Sequence, residues 1–374
     1  MKFKLSSAKL FAQLQALGKV IVSKNSISIL DCVLFEIEGT TLTLTASDSE
    51  TTMKTAMPLE EAEGQGKVAF GARILIDTLK EFPEQMLTFD IDDNNFSLNI
   101  TSDNGVYSFV GVNGDEYPQM PRLEDESNKV AIPAETLLNA INRTIFCTAD
   151  DELRPVMNGI YFDMTPENLT MVATDAHRLV RYQINQVKVD TPSSFILPKK
   201  PASLLRQVLA KESDEVNITY SQKNVCFEFK DTVIMCRLIE GRFPNYNAVI
   251  PQNNQNKITV DRLTLLNAAK RVAVFANQGT GLIKLSINEN SIQISAQDID
   301  FSTSADETIA CSYVGRPMAI GFKGQFLIEI LGAIQSTEVS IELSDPSRAG
   351  LILPFEQQEN ENLVMLLMPM LLND

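Results

Sequence analysis

The residues best suited to chemistry lie close together. His177 is the only histidine of the chain, and it stands between Asp175 and Arg178. An imidazole beside a carboxylate is common material for general acid–base catalysis. The 48 acidic residues offer a second route, a metal-dependent hydrolase or nuclease built on clustered carboxylates. No other signature supports either. The chain has no H-E-x-x-H, no Cys/His ligand spacing, no G-x-x-x-x-G-K-[ST] and no G-x-G-x-x-G after a strand. The five cysteines, Cys32, Cys147, Cys226, Cys236 and Cys311, form no C-x-x-C pair and are odd in number. They read as reduced core thiols of a cytosolic protein.

The surroundings of Asp175 say more than its neighbours. Leu169 to Asp175 (LTMVATD) has counterparts in Leu42 to Asp48 (LTLTASD) and in Ile292 to Asp298 (IQISAQD). The aspartate recurs as Asp48, Asp175 and Asp298, whereas His177 has no counterpart. An aspartate in the same place in every copy reads as a turn former. His177 then belongs to something special to the middle copy. Other features repeat in the same order. A strand running into a helix recurs at Phe3–Leu17, Val130–Ile141 and Ile258–Ala269, with Leu5, Ile132 and Val260 as matching points. The spacing is 127 and then 128 residues, the length of a whole domain. A second strand-into-helix unit follows in each third, at Val68–Leu75, Phe195–Lys200 and Met318–Gly324.

Each third therefore holds two helices, and the segments between them alternate like half-buried strands, as in Phe96-x-Leu98-x-Ile100 and Val225-x-Phe227-x-Phe229. The expected fold is α+β, with three repeated domains at 1–121, 128–251 and 256–374. Each domain is two β-α-β-β-β halves with helices on one side of antiparallel sheet. The boundaries fall in the polar stretches Pro118–Asn128 and Pro251–Asn256. A chain of 374 residues, 44% hydrophobic and 21% charged, suits three soluble cores. No stretch approaches the ~20 apolar residues of a spanning helix.

Net charge is −16, which taken alone argues against a nucleic-acid partner. Its distribution argues otherwise. Six expected helix windows (6–21, 72–82, 133–146, 199–212, 261–275 and 323–334) together carry +7, so the rest carries −23 against the chain total of −16. If the helices face one way, they form a weakly basic surface inside an acidic body; the alternative is that lysine is simply a good helix residue.

Several longer motifs now carry a resemblance. They are Met1-Lys2-Phe3 with its helix, Asn158–Phe162 (NGIYF), Ala173–Leu179 (ATDAHRL), Glu240–Tyr246 (EGRFPNY) and Met368-Pro369-Met370. On these, over its whole length, the chain resembles the bacterial DNA sliding clamp, the β subunit of the replicative DNA polymerase. The resemblance implies a homodimer closed head to tail into a ring, with helices lining the hole and sheets outside. It implies a cytoplasmic processivity factor without catalytic site, metal or cofactor. The ring encircles double-stranded DNA independently of sequence and tethers the replicative polymerase, the clamp loader and repair polymerases.

The resemblance also assigns residues. Lys24, Arg73, Arg154, Lys199 and Lys200 match positions that touch DNA, where they would meet phosphates and read no bases; the other reading is solvated surface charge. Met157, Thr174, His177, Arg178, Leu179, Pro244, Val249, Phe326, Leu367, Met368, Pro369 and Met370 match a hydrophobic groove that receives partner peptides. Methionines suit a surface that must accept many sequences; the other reading of the C-terminal run is a buried edge strand. Tyr107 and Phe109 would face Val274 and Phe275 across the dimer contact, or pack within their own domains. Departures from the family are Ala176 for a frequent Gly, Phe326 for a frequent Tyr, Ala248 for an Arg, and the added tail Leu371 to Asp374.

Overall fold

The computed structural model describes residues 1–22, 25, 27–121, 123 and 128–372. Every repeat folds as two β-α-β-β-β halves. In the last repeat the order is the strand Asn256–Asp261, a helix, and the strands Leu282–Asn288, Ser291–Asp298 and Thr303–Ala310. Its second half follows as Met318–Lys323, a helix, Glu338–Leu343, Gly350–Pro354 and Glu361–Leu367. The helices of the chain are α1 (Ser7–Leu17), α2 (Ala72–Lys80), α3 (Ala134–Thr144), α4 (Lys199–Val208), α5 (Arg262–Ala273) and α6 (Gly324–Ala333). The first repeat adds two short strands, Glu61–Glu63 and Val112–Asn113.

Local chemistry explains where the helices begin and what they bury. Ser6 caps α1, its Oγ accepting from Lys9 N, and Asp261 caps α5, its Oδ1 accepting from Thr264 N at 2.7 Å. Leu10, Leu14 and Leu17 recur at helical spacing and are fully buried. Gly18 ends α1, its N–H donating to Leu14 O at 2.8 Å. The basic charge expected on the helices is concentrated on α4 (Lys199, Lys200, Arg206) and α5 (Arg262, Lys270, Arg271).

Backbone packing divides the chain into two compact units, 1–138 with 203–238, and 139–202 with 239–374. These units are not the repeats, because each half of the middle repeat is hydrogen-bonded into a neighbour's sheet. In the first unit, Thr51–Pro58 pairs antiparallel with Thr232–Arg237, which joins nine strands into one sheet. In the second, Arg178–Ile184 pairs antiparallel with Glu361–Leu367, Arg178 opposite Leu367, within an eight-stranded sheet. Among the strands that end a sheet, two matter for assembly. Val106–Val110 bonds only to Ser97–Thr101, and Thr303–Ala310 only to Ser291–Asp298. Among the described residues no helix is long and apolar enough to cross a membrane.

Candidate peptide groove, basic surface and sheet edges

The recurring aspartate accepts the same pair of backbone bonds three times. Asp175 Oδ1 accepts from His177 N and Arg178 N, both at 2.9 Å. Asp48 Oδ1 accepts from Glu50 N and Thr51 N, and Asp298 Oδ1 from Asp300 N and Phe301 N. Such side-chain-to-backbone bonds are the reason aspartate favours turns. Among the described residues no three His, Cys, Asp or Glu side chains gather as a metal site.

In the first two copies the residue after the aspartate takes the left-handed conformation, with φ 76° at Ser49 and φ 72° at Ala176. A Cβ at that φ costs ~1–2 kcal/mol, and glycine's looser unfolded chain returns part of it. Ala176→Gly is therefore expected to stabilise the protein by roughly 0.5–1 kcal/mol, seen as a higher melting temperature. A lower one would mean the Ala176 methyl contributes more by packing than its backbone strain costs.

Beside this turn lies a mostly apolar cavity of about 280 Å³, lined by Met157, Thr174, Ala176, Arg178, Leu179, Phe243, Pro244, Asn245, Tyr246, Val249, Leu366 and Met368. Its floor is one cluster of buried side chains, including Val172, Leu179, Ile250, Val364 and Leu366. One wall is aromatic. Tyr161 stacks on Phe243 with centroids 4.6 Å apart, and Tyr246 donates its hydroxyl hydrogen bond to Asp163 Oδ2 at 2.7 Å. Burial and that carboxylate push the Tyr246 phenol far above its ordinary range.

Seven residues expected in a groove meet here: Met157, Thr174, Arg178, Leu179, Pro244, Val249 and Met368. Five do not line it: His177, Phe326, Leu367, Pro369 and Met370. Leu367 is fully buried in the sheet opposite Arg178 and Gly350. His177 is exposed and its ring stacks on Phe326 at 6.2 Å, next to the cavity. Pro369 ends the ladder, as its missing N–H requires. Beyond it Met370 N donates to Gly321 O at 2.8 Å, at a glycine where a Cβ would strike Met370 O. The sequence reading did not count Ala176, Phe243, Asn245 or Tyr246 among the groove residues. The EGRFPNY motif contained three of them, and only folding shows which of its side chains turn inward.

Arg178 is nearly buried, with 7% of its side chain exposed. Nε donates to Asp175 Oδ2 at 3.0 Å, Nη2 to Phe146 O at 2.8 Å, and Nη1 to Glu329 Oε2. Its plane lies over the rings of Phe146 and Phe326, 5.2 and 4.3 Å from their centroids. Burial opposes the charge, but Glu329 and Asp175 outweigh it and hold the pKa above the ordinary arginine value.

The candidate DNA contacts fall in different places. Lys24 lies outside the described residues. Arg73, in the first turn of α2, is 97% exposed in its side chain and stands 3.9 Å from Asp77. Lys199 and Lys200 open α4, where positive charge works against the helix dipole. Arg154 is ion-paired with Asp151 at 2.8 Å. Asn158 joins these segments, since its side chain bonds the backbone of Asp151 and its carbonyl accepts from Lys199 N.

Of the candidate dimer residues, Tyr107, Val274 and Phe275 are exposed and Phe109 is half-buried. Tyr107 and Phe109 are on the unpaired edge strand, with Tyr107 edge-on to Phe82 at 5.0 Å. Val274 and Phe275 follow the end of α5. Both regions expose more apolar surface than those four residues: Val110 is 80% exposed, Ile299 81% and Phe301 71%. The cysteines are all free thiols; Cys147, Cys226 and Cys236 are buried, Cys32 and Cys311 half-buried. Burial raises all five thiol pKa values, Cys226 to about 12, which suits neither a nucleophile nor a metal ligand.

Comparison with known proteins accounts for the whole chain. Family models of the DNA polymerase III beta subunit match three successive stretches, the N-terminal domain over 1–121, the central domain over 131–245 and the C-terminal domain over 247–371. The beta sliding clamp of Bacillus subtilis is 26% identical over 383 residues, covering 99% of each chain. That of Haemophilus influenzae is 28% identical over 373 residues, covering 99% of this chain and all of its own. The structure of the Pseudomonas aeruginosa sliding clamp bound to griselimycin superposes with a TM-score of 0.93 at 25% identity over 100% of both chains. Three domain models in their proper order, falling on three copies of one β-α-β-β-β pair, leave one assignment: the chain belongs to the DNA polymerase III beta subunit family, the bacterial sliding clamps.

Proposed function

We propose that two copies of this chain close head to tail into a ring that encircles duplex DNA and tethers a replicative polymerase to it. The observation that carries this reading is the triplicated domain, matched end to end by the three beta-subunit models. The edge strand Val106–Val110, with Val106, Tyr107 and Val110 exposed, supports closure, because an exposed edge with apolar side chains favours pairing with another chain. Tyr107 and Phe109 would meet Val274 and Phe275 of the second copy. The domains of one copy run 1–121, 128–251 and 256–374. Arg73, Arg154, Lys199 and Lys200, with Lys24, would touch the phosphate backbone without reading sequence. An acidic body discourages tight binding and leaves the ring free to slide.

The cavity beside Thr174–Leu179 would receive short peptides from the polymerase, the clamp loader and repair polymerases. The protein would act in the cytoplasm and catalyse nothing itself. The hydrolase reading gains no support, since Asp48, Asp175 and Asp298 are spent on turns.

The test is topological. Loaded with clamp loader and ATP onto nicked circular DNA, the protein should stay bound and then be lost when the circle is cut. Equal loss rates from circular and linear DNA would overturn the ring. Binding without loading should be weak and fall steeply with salt.

A further inference from the structure

The first and third copies make the Asp48 and Asp298 turns with Thr51 and Phe301 where the middle copy has Arg178. A cation is therefore not needed to form this turn. Arg178 lines the cavity, yet one N–H each of Nε, Nη1 and Nη2 is given to the protein itself, and phenylalanine rings lie against the guanidinium. What the guanidinium does is tie three segments together. Through Asp175 it holds the turn, through Phe146 O the chain just past α3, and through Glu329 the helix α6. The turn in question supplies Thr174, Ala176 and Leu179 to the cavity. It also anchors the opposite wall, because His177 O accepts from Met368 N at 2.8 Å and Met368 lines the cavity.

We infer that the Arg178–Glu329 ion pair sets the shape of the groove, and that Glu329, which forms no part of the cavity wall, is a positioning residue for peptide binding. The inference rests on the peptide-groove reading proposed above. Glu329 is itself held in place, its Oε1 accepting from Gln325 Nε2 one turn earlier on α6. Removing its charge leaves the buried guanidinium with Asp175 as its one carboxylate partner. A buried cation short of a partner relaxes toward solvent or toward another acceptor. The turn bonded to it through Asp175 must then move, and with it both walls of the groove.

The experiment uses the full-length dimer, a fluorescent peptide carrying Gln and Leu as the probe, and anisotropy at 10 °C, far below unfolding. Glu329→Gln keeps the size and removes the charge; Glu329→Asp keeps the charge on a shorter arm. Val249→Asp, on the cavity wall, tests the groove itself. Glu329→Gln should weaken peptide binding about tenfold with the dimer mass unchanged, and Glu329→Asp should weaken it less. Hydrogen exchange at the amides of 176–178 should speed up in Glu329→Gln without peptide. Val249→Asp should lose at least ~30-fold. If Glu329→Gln only lowers the melting temperature and binds peptide within twofold of the unsubstituted protein, while Val249→Asp fails to bind, the positioning role is overturned and the groove stands. If Val249→Asp also binds normally, the groove reading falls and this inference with it.

Discussion

A chain lacking residues 368–374 should remain a dimer and bind no polymerase-tail peptide. Two features set the size of the effect. Met368 forms part of the cavity wall. The segment after it is fastened on both sides of Pro369, through His177 O to Met368 N and Gly321 O to Met370 N, both at 2.8 Å. Truncation thus removes one wall and frees the backbone of the turn that forms another. An anchor residue in such a groove contributes ~2 kcal/mol or more, so losing an anchor together with the geometry of the turn should cost at least ~100-fold in affinity. The fold should survive, since the strand ends at Leu367 and its ladder to Arg178–Ile184 is untouched. Anisotropy with a labelled peptide reads the affinity, and sedimentation reads the mass. Undiminished binding by an intact truncated dimer would put the peptide site elsewhere.

Phe275→Arg, or Phe109→Asp, should convert the dimer to monomer. Phe275 lies just past the end of α5, and Phe109 lies on the strand with an unpaired edge. A charge placed in a dry contact without a partner costs several kcal/mol. In a head-to-tail dimer each substitution appears at both contacts, so the effect is doubled. Sedimentation velocity should show one species near the 41.5 kDa chain mass. The same variants should fail to persist on circular DNA while still binding the labelled peptide, because Phe109 and Phe275 do not line the cavity. An unchanged dimer with both substitutions would place the contact on other surfaces.

The sequence by itself determined the repeat, the six helices and the strand order. These depend on local periodicity: Leu10, Leu14 and Leu17 on one face of α1, alternation in the strands, and an aspartate that can bond its own backbone at each turn. It also marked His177 as special to the middle copy, because Asp175 recurs in the other copies and His177 does not. What it left open depends on contacts between residues far apart in the chain. Leu367 and Met368 are adjacent in an apolar run, yet one is sealed in the sheet and the other lines the cavity, because successive strand residues face opposite ways until Pro369 ends the ladder. The sequence could not show that Arg178 is enclosed by Phe146, Phe326 and Glu329, since those partners come from the end of α3 and from α6. Nor could it show that the compact units cut across the repeats. A hydrogen-bonded ladder forms wherever two edges meet, and here the middle repeat's edges meet those of its neighbours, Thr232–Arg237 on Thr51–Pro58 and Arg178–Ile184 on Glu361–Leu367. Spacing along the chain set the elements; pairing across it decided which side chains became the groove.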